Sequence, residues 1–291
     1  MLHILDGSGY MFRAYYALPP LTDKEGNNKN AIYWFLKMLI SLLKQKPTYF
    51  ALTRDHPSQT LREKEFEQYK ATRPPIPDDF KAQIGQIKQI PAQIWVPSLE
   101  IPWYEADDII FTLVEKFKKQ TPITIISSDK DLKQLITDNV VFWDPMKKQQ
   151  IDITSFEQKR GFKPPQIVDY LALLWDSSDN IPGVNGIWAK TALSLIQKFS
   201  NLDQIYQNLD QISPSTKEKL IQGKQNAYLS KDLITLKSVP QLKELKLDEL
   251  KLNIDFDEFE KLALDLGFPS LQKQVQNLKK DFQKPQQNSL F

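Results

Sequence analysis

Apolar residues follow two rhythms along this chain. In the first half, short apolar runs have the length and branched side chains of buried strands: LHILD ending at Asp6, YFALTRD ending at Asp55, and PITIISSD ending at Asp129. Between them, Ala31 to Leu43 and Ala106 to Phe117 repeat apolar positions at helical spacing. This alternation predicts an α/β fold: a mostly parallel central sheet flanked by helices. Ligands of such sheets bind beyond the carboxyl ends of the strands. All three strands deliver an aspartate to that edge.

From about Ile153 the rhythm becomes helical, through TSFEQKRG, PPQIVDYLALLW, AKTALSLIQKF, NLDQIYQNL, PSTKEKLIQG and NAYLSKDLITL, with Pro, Ser and Asn as starts and stops. The ending QKPQQNSLF is polar and Gln-rich, which predicts a flexible tail. The expected organisation is a core over 1–160, a helical region over 161–272 and a tail over 273–291. No internal repeat is visible.

Composition narrows the chemistry. The chain has 291 residues, a net charge of +2 and no cysteine. Disulfides and thiolate zinc sites are excluded, and overall charge does not announce a nucleic-acid partner. The N-terminus lacks a basic, apolar leader, and no apolar run is long enough to span a membrane. The expected compartment is the cytoplasm, with no membrane partner.

Acids gather in a few turns: Asp6; Asp55; Glu105, Asp107 and Asp108 in YEADD; Asp129 and Asp131 in SSDKD; Asp176 and Asp179 in DSSDN. Any one of them reads as a helix cap or solvated turn, a role that Asp108, Asp78 and Asp79 fit well. As a set, they end three strands and open two helices, and so many carboxylates at one edge call for cations. Hard oxygen ligands select Mg²⁺ or Mn²⁺, and two such ions activate water and stabilise the leaving oxygen of a phosphodiester. With only His3 and His56 available, a zinc hydrolase is not expected.

ILDGSGYMFRAYYA, TLREKEFEQYKATRPPIPDD, YEADDII, SSDKDLKQL and DSSDNIPGVNGIWAKTA occur in that order. Together they resemble the 5′→3′ exonuclease domain of bacterial DNA polymerase I and the flap endonucleases, over roughly residues 1 to 270. No polymerase-like segment follows, so a stand-alone form is expected. The resemblance implies a PIN/resolvase-like nuclease core with a helical arch at about 59–80, and a C-terminal helix-hairpin-helix-like subdomain with its hairpin at 180–192. It implies a metal-dependent enzyme that acts on DNA with 5′ flaps, nicks or RNA primers; Mg²⁺ is the expected ion and a monomer the expected state. Asp6, Asp55 and Asp107 would surround one ion; Asp129, Asp131, Asp176 and Asp179 a second, with Glu105 between; Asp108 is a further candidate.

Lys70, Arg73 and Arg62 fall in the arch segment and are the catalytic cation candidates. Lys70 and Arg73 lie three apart, on one face if that stretch is helical, and can grip phosphates. Arg13 is a phosphate-contact candidate, and Tyr10 and Tyr69 are base-stacking candidates. The resemblance makes Gly183, Val184, Gly186 and Ile187 the hairpin whose backbone meets duplex phosphates, with K⁺ nearby. A glycine turn entering a helix presents N–H groups to an anion, and Lys190 and Thr191 extend that contact. At the end of the chain, Gln287, Leu290 and Phe291 in QNSLF resemble the sliding-clamp motif Gln-Leu-Ser/Asp-Leu-Phe, with Asn288 departing at the second position. Two other readings share the acids: a PIN-like ribonuclease, and a catalytically silent structure-specific DNA-binding protein.

Two departures from the family pattern stand out. Arg54 replaces an aromatic before Asp55. Trp34, Trp95, Trp103, Trp175 and Trp188 all fall where the family carries glycine, whereas Trp143 does not. The chain has only nine glycines in 291 residues, less than half the usual share of about 7%. A gene whose UGA codons mean glycine, translated with UGA as tryptophan, produces both patterns together. The expected codon at these five positions is UGA, and UGG at most of them would sink the idea.

Overall fold

The computed structural model describes residues 1–16 and 19–284. Gln287, Leu290 and Phe291 of the clamp-like motif lie outside the described residues. In chain order, β1 (Leu2–Asp6), α1 (Gly7–Tyr16), α2 (Asn30–Leu43) and β2 (Tyr49–Arg54) come first, followed by the short α3 (Leu61–Glu65), α4 (Asp78–Gln93), β3 (Ser98–Glu100) and α5 (Ala106–Phe117). Then come β4 (Ile123–Ile126), β5 (Val140–Asp144), β6 (Gln149–Ile151), α6 (Ile153–Arg160) and α7 (Ile167–Ala172). The remainder is helical: α8 (Ala189–Phe199), α9 (Leu202–Gln207), α10 (Pro214–Gln222), α11 (Lys224–Ile234), α12 (Phe256–Asp265) and α13 (Pro269–Gln283). Among the described residues, no helix is long and apolar enough to cross a membrane.

The chain divides into two compact units. The first comprises Met1–Arg54, Ile76–Leu99 and the chain from Glu244 onward. Every residue of β1 is buried, as a parallel strand covered on both faces requires. β1 runs parallel to β2 with Leu2 beside Tyr49 and Asp6 beside Thr53, and β3 lies beyond β2. On α2, Ile32, Phe35, Leu36, Leu39 and Leu43 make one buried stripe; Phe80, Gln83, Ile87 and Ile90 do the same on α4. The buried Gln83 side-chain Oε1 accepts the Ala31 and Ile32 amides (2.9 and 3.3 Å), satisfying two donors at the start of α2. Arg54 is also buried here and donates to the Lys88 carbonyl at 2.7 Å, so its guanidinium serves packing.

α12 and α13 belong to this first unit, which departs from the expected linear partition. The tail expected from 273 is helical to Gln283, because Leu271, Val275 and Leu278 form a buried stripe along α13. That apolar spacing outweighs the polar composition of the segment.

The second unit comprises Asp55–Pro75 and Glu100–Lys243. β4 pairs in parallel with β5 (Ile123 beside Val140), and β6 closes antiparallel on β5. Buried Ile109, Ile110, Leu113, Val114 and Phe117 give α5 its inner face. The helices α6 to α11 follow the order read from the sequence. Within the arch segment α3 is a single short helix, started by a Thr60–Glu63 capping box, and helix resumes only at Asp78, where α4 begins. Residues 67–72 form turns, and Lys70 has φ +56, so Lys70 and Arg73 do not share a helix face.

The tryptophans divide by backbone. Trp95 and Trp103 adopt φ +58 and +74, the left-handed region that glycine enters without strain. Both are exposed, as are Trp175 and Trp188, so none of these four indoles anchors a core. Trp34 sits within α2, and Trp143, which has no glycine counterpart in the family, sits in regular strand β5. Replacing Trp95 by glycine is expected to raise stability by about 1 kcal/mol, since relief of left-handed strain outweighs the loss of an exposed ring. The gain at Trp103 is expected to be smaller, because its ring carries the Lys64 ammonium at 3.8 Å. Trp143→Gly should destabilise. Thermal melts of the three variants check this ordering.

Candidate active site

In the first unit, Asp6 ends β1 and is almost fully buried. Its Oδ1 accepts the Gly9 amide at 2.8 Å. A Cβ at Gly9 would stand 2.4 Å from Asp6 Oδ2, so glycine is what lets α1 begin against this carboxylate. The sequence reading did not single out Gly9, although DGSG carried the signal. Tyr10 is buried in the core, which corrects its candidacy as a stacking platform. Arg13 lies half-buried near the end of α1.

In the second unit, a cleft of about 610 Å³ is lined by Asp55, His56, Glu63, Glu67, Tyr69, Lys70, Arg73 and Glu105, among others. Asp55 Oδ1 accepts the Ala106 amide at 2.7 Å, at the positive end of α5. Glu105 is buried and receives three donors: Arg62 Nη1 at 3.0 Å, Tyr69 Oη at 3.1 Å, and the Lys70 ammonium. Burial alone would lower the Lys70 pKa. The Tyr69 hydroxyl and the Glu105, Asp179 and Asp55 carboxylates around it hold it well above its ordinary value instead. Lys70 is therefore a fixed cation among acids. His56, another residue the sequence reading left aside, accepts the Ser58 amide on Nδ1 at 3.1 Å.

Three expectations are corrected here. Arg62 is 3% exposed and donates to Asp108 through both terminal nitrogens (2.7 and 2.8 Å), to Glu105, and to the Leu233 and Thr235 carbonyls. Its guanidinium is an internal clasp and does not face a substrate. Asp108 accepts those two bonds and the Lys237 amide at 2.8 Å, which commits it to Arg62 in place of an ion. Tyr69 is buried with its hydroxyl on Glu105, so its ring is no stacking surface.

A second acidic group follows β4. Asp129 Oδ1 accepts the Asp131 amide at 2.8 Å. Asp176 Oδ1 accepts the Ser178 amide (2.8 Å) and hydroxyl (2.6 Å), while its Oδ2 takes the Lys130 ammonium. Asp179 pairs with Arg73 Nη2 at 2.6 Å, and its carbonyl accepts the Lys70 amide. Burial acts against ionisation of Asp176, but the Lys130 and Ser178 bonds bring its carboxyl below the usual range. Asp131 is the exception. Its Oδ1 is enclosed without a hydrogen-bond partner. Burial, then the charge of Asp129, pushes this carboxyl up to about 7.

Among the described residues, no three acids close on one point as a finished ion cage. Their donor set nevertheless fits a hard divalent cation: all oxygen, with one Asp131 oxygen buried and unpaired, and with the Lys130 ammonium on neighbouring Asp176 holding positive charge there. Asp107 is half-buried in the first turn of α5.

The hairpin lies in the same unit. Gly183 (φ +56) passes so close to the 174–175 backbone that a Cβ would meet Leu174 C at 2.3 Å. Its amide donates to the buried Ser230 hydroxyl at 2.9 Å. The amides of Val184 and Ile187 are taken by the Leu173 and Val184 carbonyls, and their side chains are buried. This corrects their assignment to DNA: they hold the hairpin shut. Gly186 (φ +77) and the first turn of α8 remain, where Ala189, Lys190 and Thr191 have no intrahelical acceptor for their amides. Gly183→Ala should destabilise the protein by about 1–3 kcal/mol from left-handed strain, plus the backbone overlap. Gly26→Ala, also left-handed at φ +84 but in open space, should cost less, and paired denaturant melts separate the two.

Comparison with known proteins bears on this site. Residues 1–161 match the family model of the 5′-3′ exonuclease N-terminal resolvase-like domain, and residues 162–257 that of its C-terminal SAM fold. A 5′-3′ exonuclease of Aquifex aeolicus is 39% identical over all of this chain and 99% of its own. DNA polymerase I of Caldicellulosiruptor bescii is 38% identical over 94% of this chain, which spans a third of that polymerase. Among solved structures, the T5 5′-exonuclease with divalent zinc aligns at TM-score 0.65 and 19% identity, over 96% of this chain and 98% of its own. The catalytic core of Rad2 in complex with DNA substrate aligns at TM-score 0.62 and 16% identity, over 96% and 91%. These two similarities speak to the fold.

Proposed function

This chain belongs to the 5′-3′ exonuclease family, and from that premise we propose a Mg²⁺-dependent nuclease that trims DNA from 5′ ends and cuts at the base of 5′ flaps. The observation that carries the metal reading is Asp131, whose buried, unpaired oxygen sits in the field of Asp129, Asp176 and Asp179. Those four would hold one ion. Motif position assigns Asp6, Asp55 and Asp107 to the other, with Glu105 between. Mn²⁺ fits the same oxygens. A divalent cation bound there supplies an activated water and stabilises the leaving oxygen.

The chain's own residues bind and orient. Lys70 and Arg73, set in the cleft against Glu105 and Asp179, are placed to exchange a carboxylate for a phosphate of the 5′ strand. Gly186 and the amides opening α8, with Lys190, would meet duplex phosphates without reading sequence, and K⁺ fits beside them. A PIN-like ribonuclease would not need the second, helical family module at 162–257. The filled acidic positions favour catalysis over silent binding. A monomer in the cytoplasm, tethered to a sliding clamp through Gln287, Leu290 and Phe291, completes the proposal; such tethering raises local concentration at flaps.

Asp129→Ala should lower flap cleavage by at least about a hundredfold while binding in Ca²⁺ stays measurable, because a metal ligand serves the chemistry more than the grip. Lys70→Ala should slow cleavage by about 10²-fold, the scale of one lost transition-state donor, and leave duplex affinity to the hairpin. Single-turnover cleavage of a 5′-labelled flap, with Mg²⁺ and with EDTA, reads both. Turnover by Asp129→Ala at wild-type rate would remove the assignment.

A further inference from the structure

One helix, α11, touches both halves of the second unit's apparatus. Midway along it, the fully buried Ser230 hydroxyl accepts the Gly183 amide at 2.9 Å, pinning the hairpin. At its C-terminal end, the Leu233 and Thr235 carbonyls accept Arg62 Nε at 2.7 Å and Nη2 at 3.0 Å. A guanidinium is favoured there, against the negative end of the helix dipole. The same guanidinium holds Glu105 Oε2 at 3.0 Å, and Glu105 Oε1 holds the Lys70 ammonium. Two residues beyond Thr235, the Lys237 amide donates to Asp108, the bidentate partner of Arg62.

The geometry points to Arg62 as a positioning residue that links duplex engagement at the hairpin to Lys70 in the cleft. This rests on the reading of the hairpin as the duplex site. Arg62 has a rigid planar fork whose bonds divide between α11, Asp108 and Glu105, so a displacement of α11 is passed to Glu105 without slack. Glu105 gives Oε2 to Arg62 and Tyr69, and Oε1 to Lys70. Fixing Oε2 sets where Oε1 lies, and so where the Lys70 ammonium is released to a phosphate. A lysine at 62 keeps the charge but cannot bridge all three partners. Arg62 touches no substrate; it acts through Glu105.

The test compares two flap substrates, one with a duplex arm long enough to reach the hairpin and one with an arm too short to reach it. The wild type should cleave the long-arm substrate faster by at least about fivefold at saturation, the scale of a typical coupling. In Arg62→Lys that ratio should fall toward one, through kcat, while KM for the long arm and duplex affinity in Ca²⁺ stay near wild type. Equal slowing on both arms, with the ratio kept, would overturn the coupling and leave Arg62 a local prop of Glu105. Ser230→Ala cuts the same link at its hairpin end; it should lose the ratio too, and serves if Arg62→Lys folds poorly. Lys190→Ala tells the two ideas apart. Weakened duplex binding in this variant, with a persisting ratio in Arg62→Lys, rejects the coupling alone. Unweakened binding rejects the hairpin reading, and the coupling falls with it.

Discussion

Like charges crowded into one cleft repel, and two carboxylates about 4 Å apart cost several kcal/mol even in a partly screened interior. Most of the local architecture in the second unit answers that repulsion. Glu105 is offset by Arg62, Lys70 and Tyr69, Asp108 by Arg62, Asp176 by Lys130, and Asp179 by Arg73. Backbone amides at 106 and 131 take up Asp55 and Asp129. What remains is Asp131, whose carboxyl is driven toward neutrality by burial and by its neighbours. Under the proposed function a divalent cation would relieve that residue most directly, and Lys130, Lys70 and Arg73 would then be released from their carboxylates.

The same constraint explains why Arg62 is buried. Its guanidinium ties its own segment to two others, through Asp108 and Glu105 at the start of α5 and the carbonyls ending α11. Removing one partner of such a group would leave an uncompensated buried charge, a far larger penalty than the pair's net worth. Arg62 thus belongs to the frame around the cleft, although its place in the motif suggests a reactive role.

Close backbone approach is the second constraint. Gly9 beside Asp6 and Gly183 against Leu174 leave no room for a Cβ. The left-handed backbone at Trp95 and Trp103 has the same character without the crowding, which agrees with glycines in the natural protein at those two positions. At Trp34, within a regular helix, the backbone makes no such demand.

Much of the protein was legible in its residues, because the signals are local. Strand runs ending in aspartate, the apolar stripes of α2 and α5, and the family motifs in order needed no partner to be recognised. Composition misjudged 273–283, where an apolar stripe lay within polar residues and only packing showed that it was used. The roles of Arg62, Asp108, Tyr69, Val184 and Ile187 were not legible, since a motif position names a residue type and not its bonding partner. Whether a guanidinium meets substrate or a carbonyl 171 residues away, as Arg62 meets Leu233, is settled only when distant segments close on each other. Local motifs set which turns of the chain carry the acids and cations. Long-range closure settles which of those charges consume one another and which are left to act.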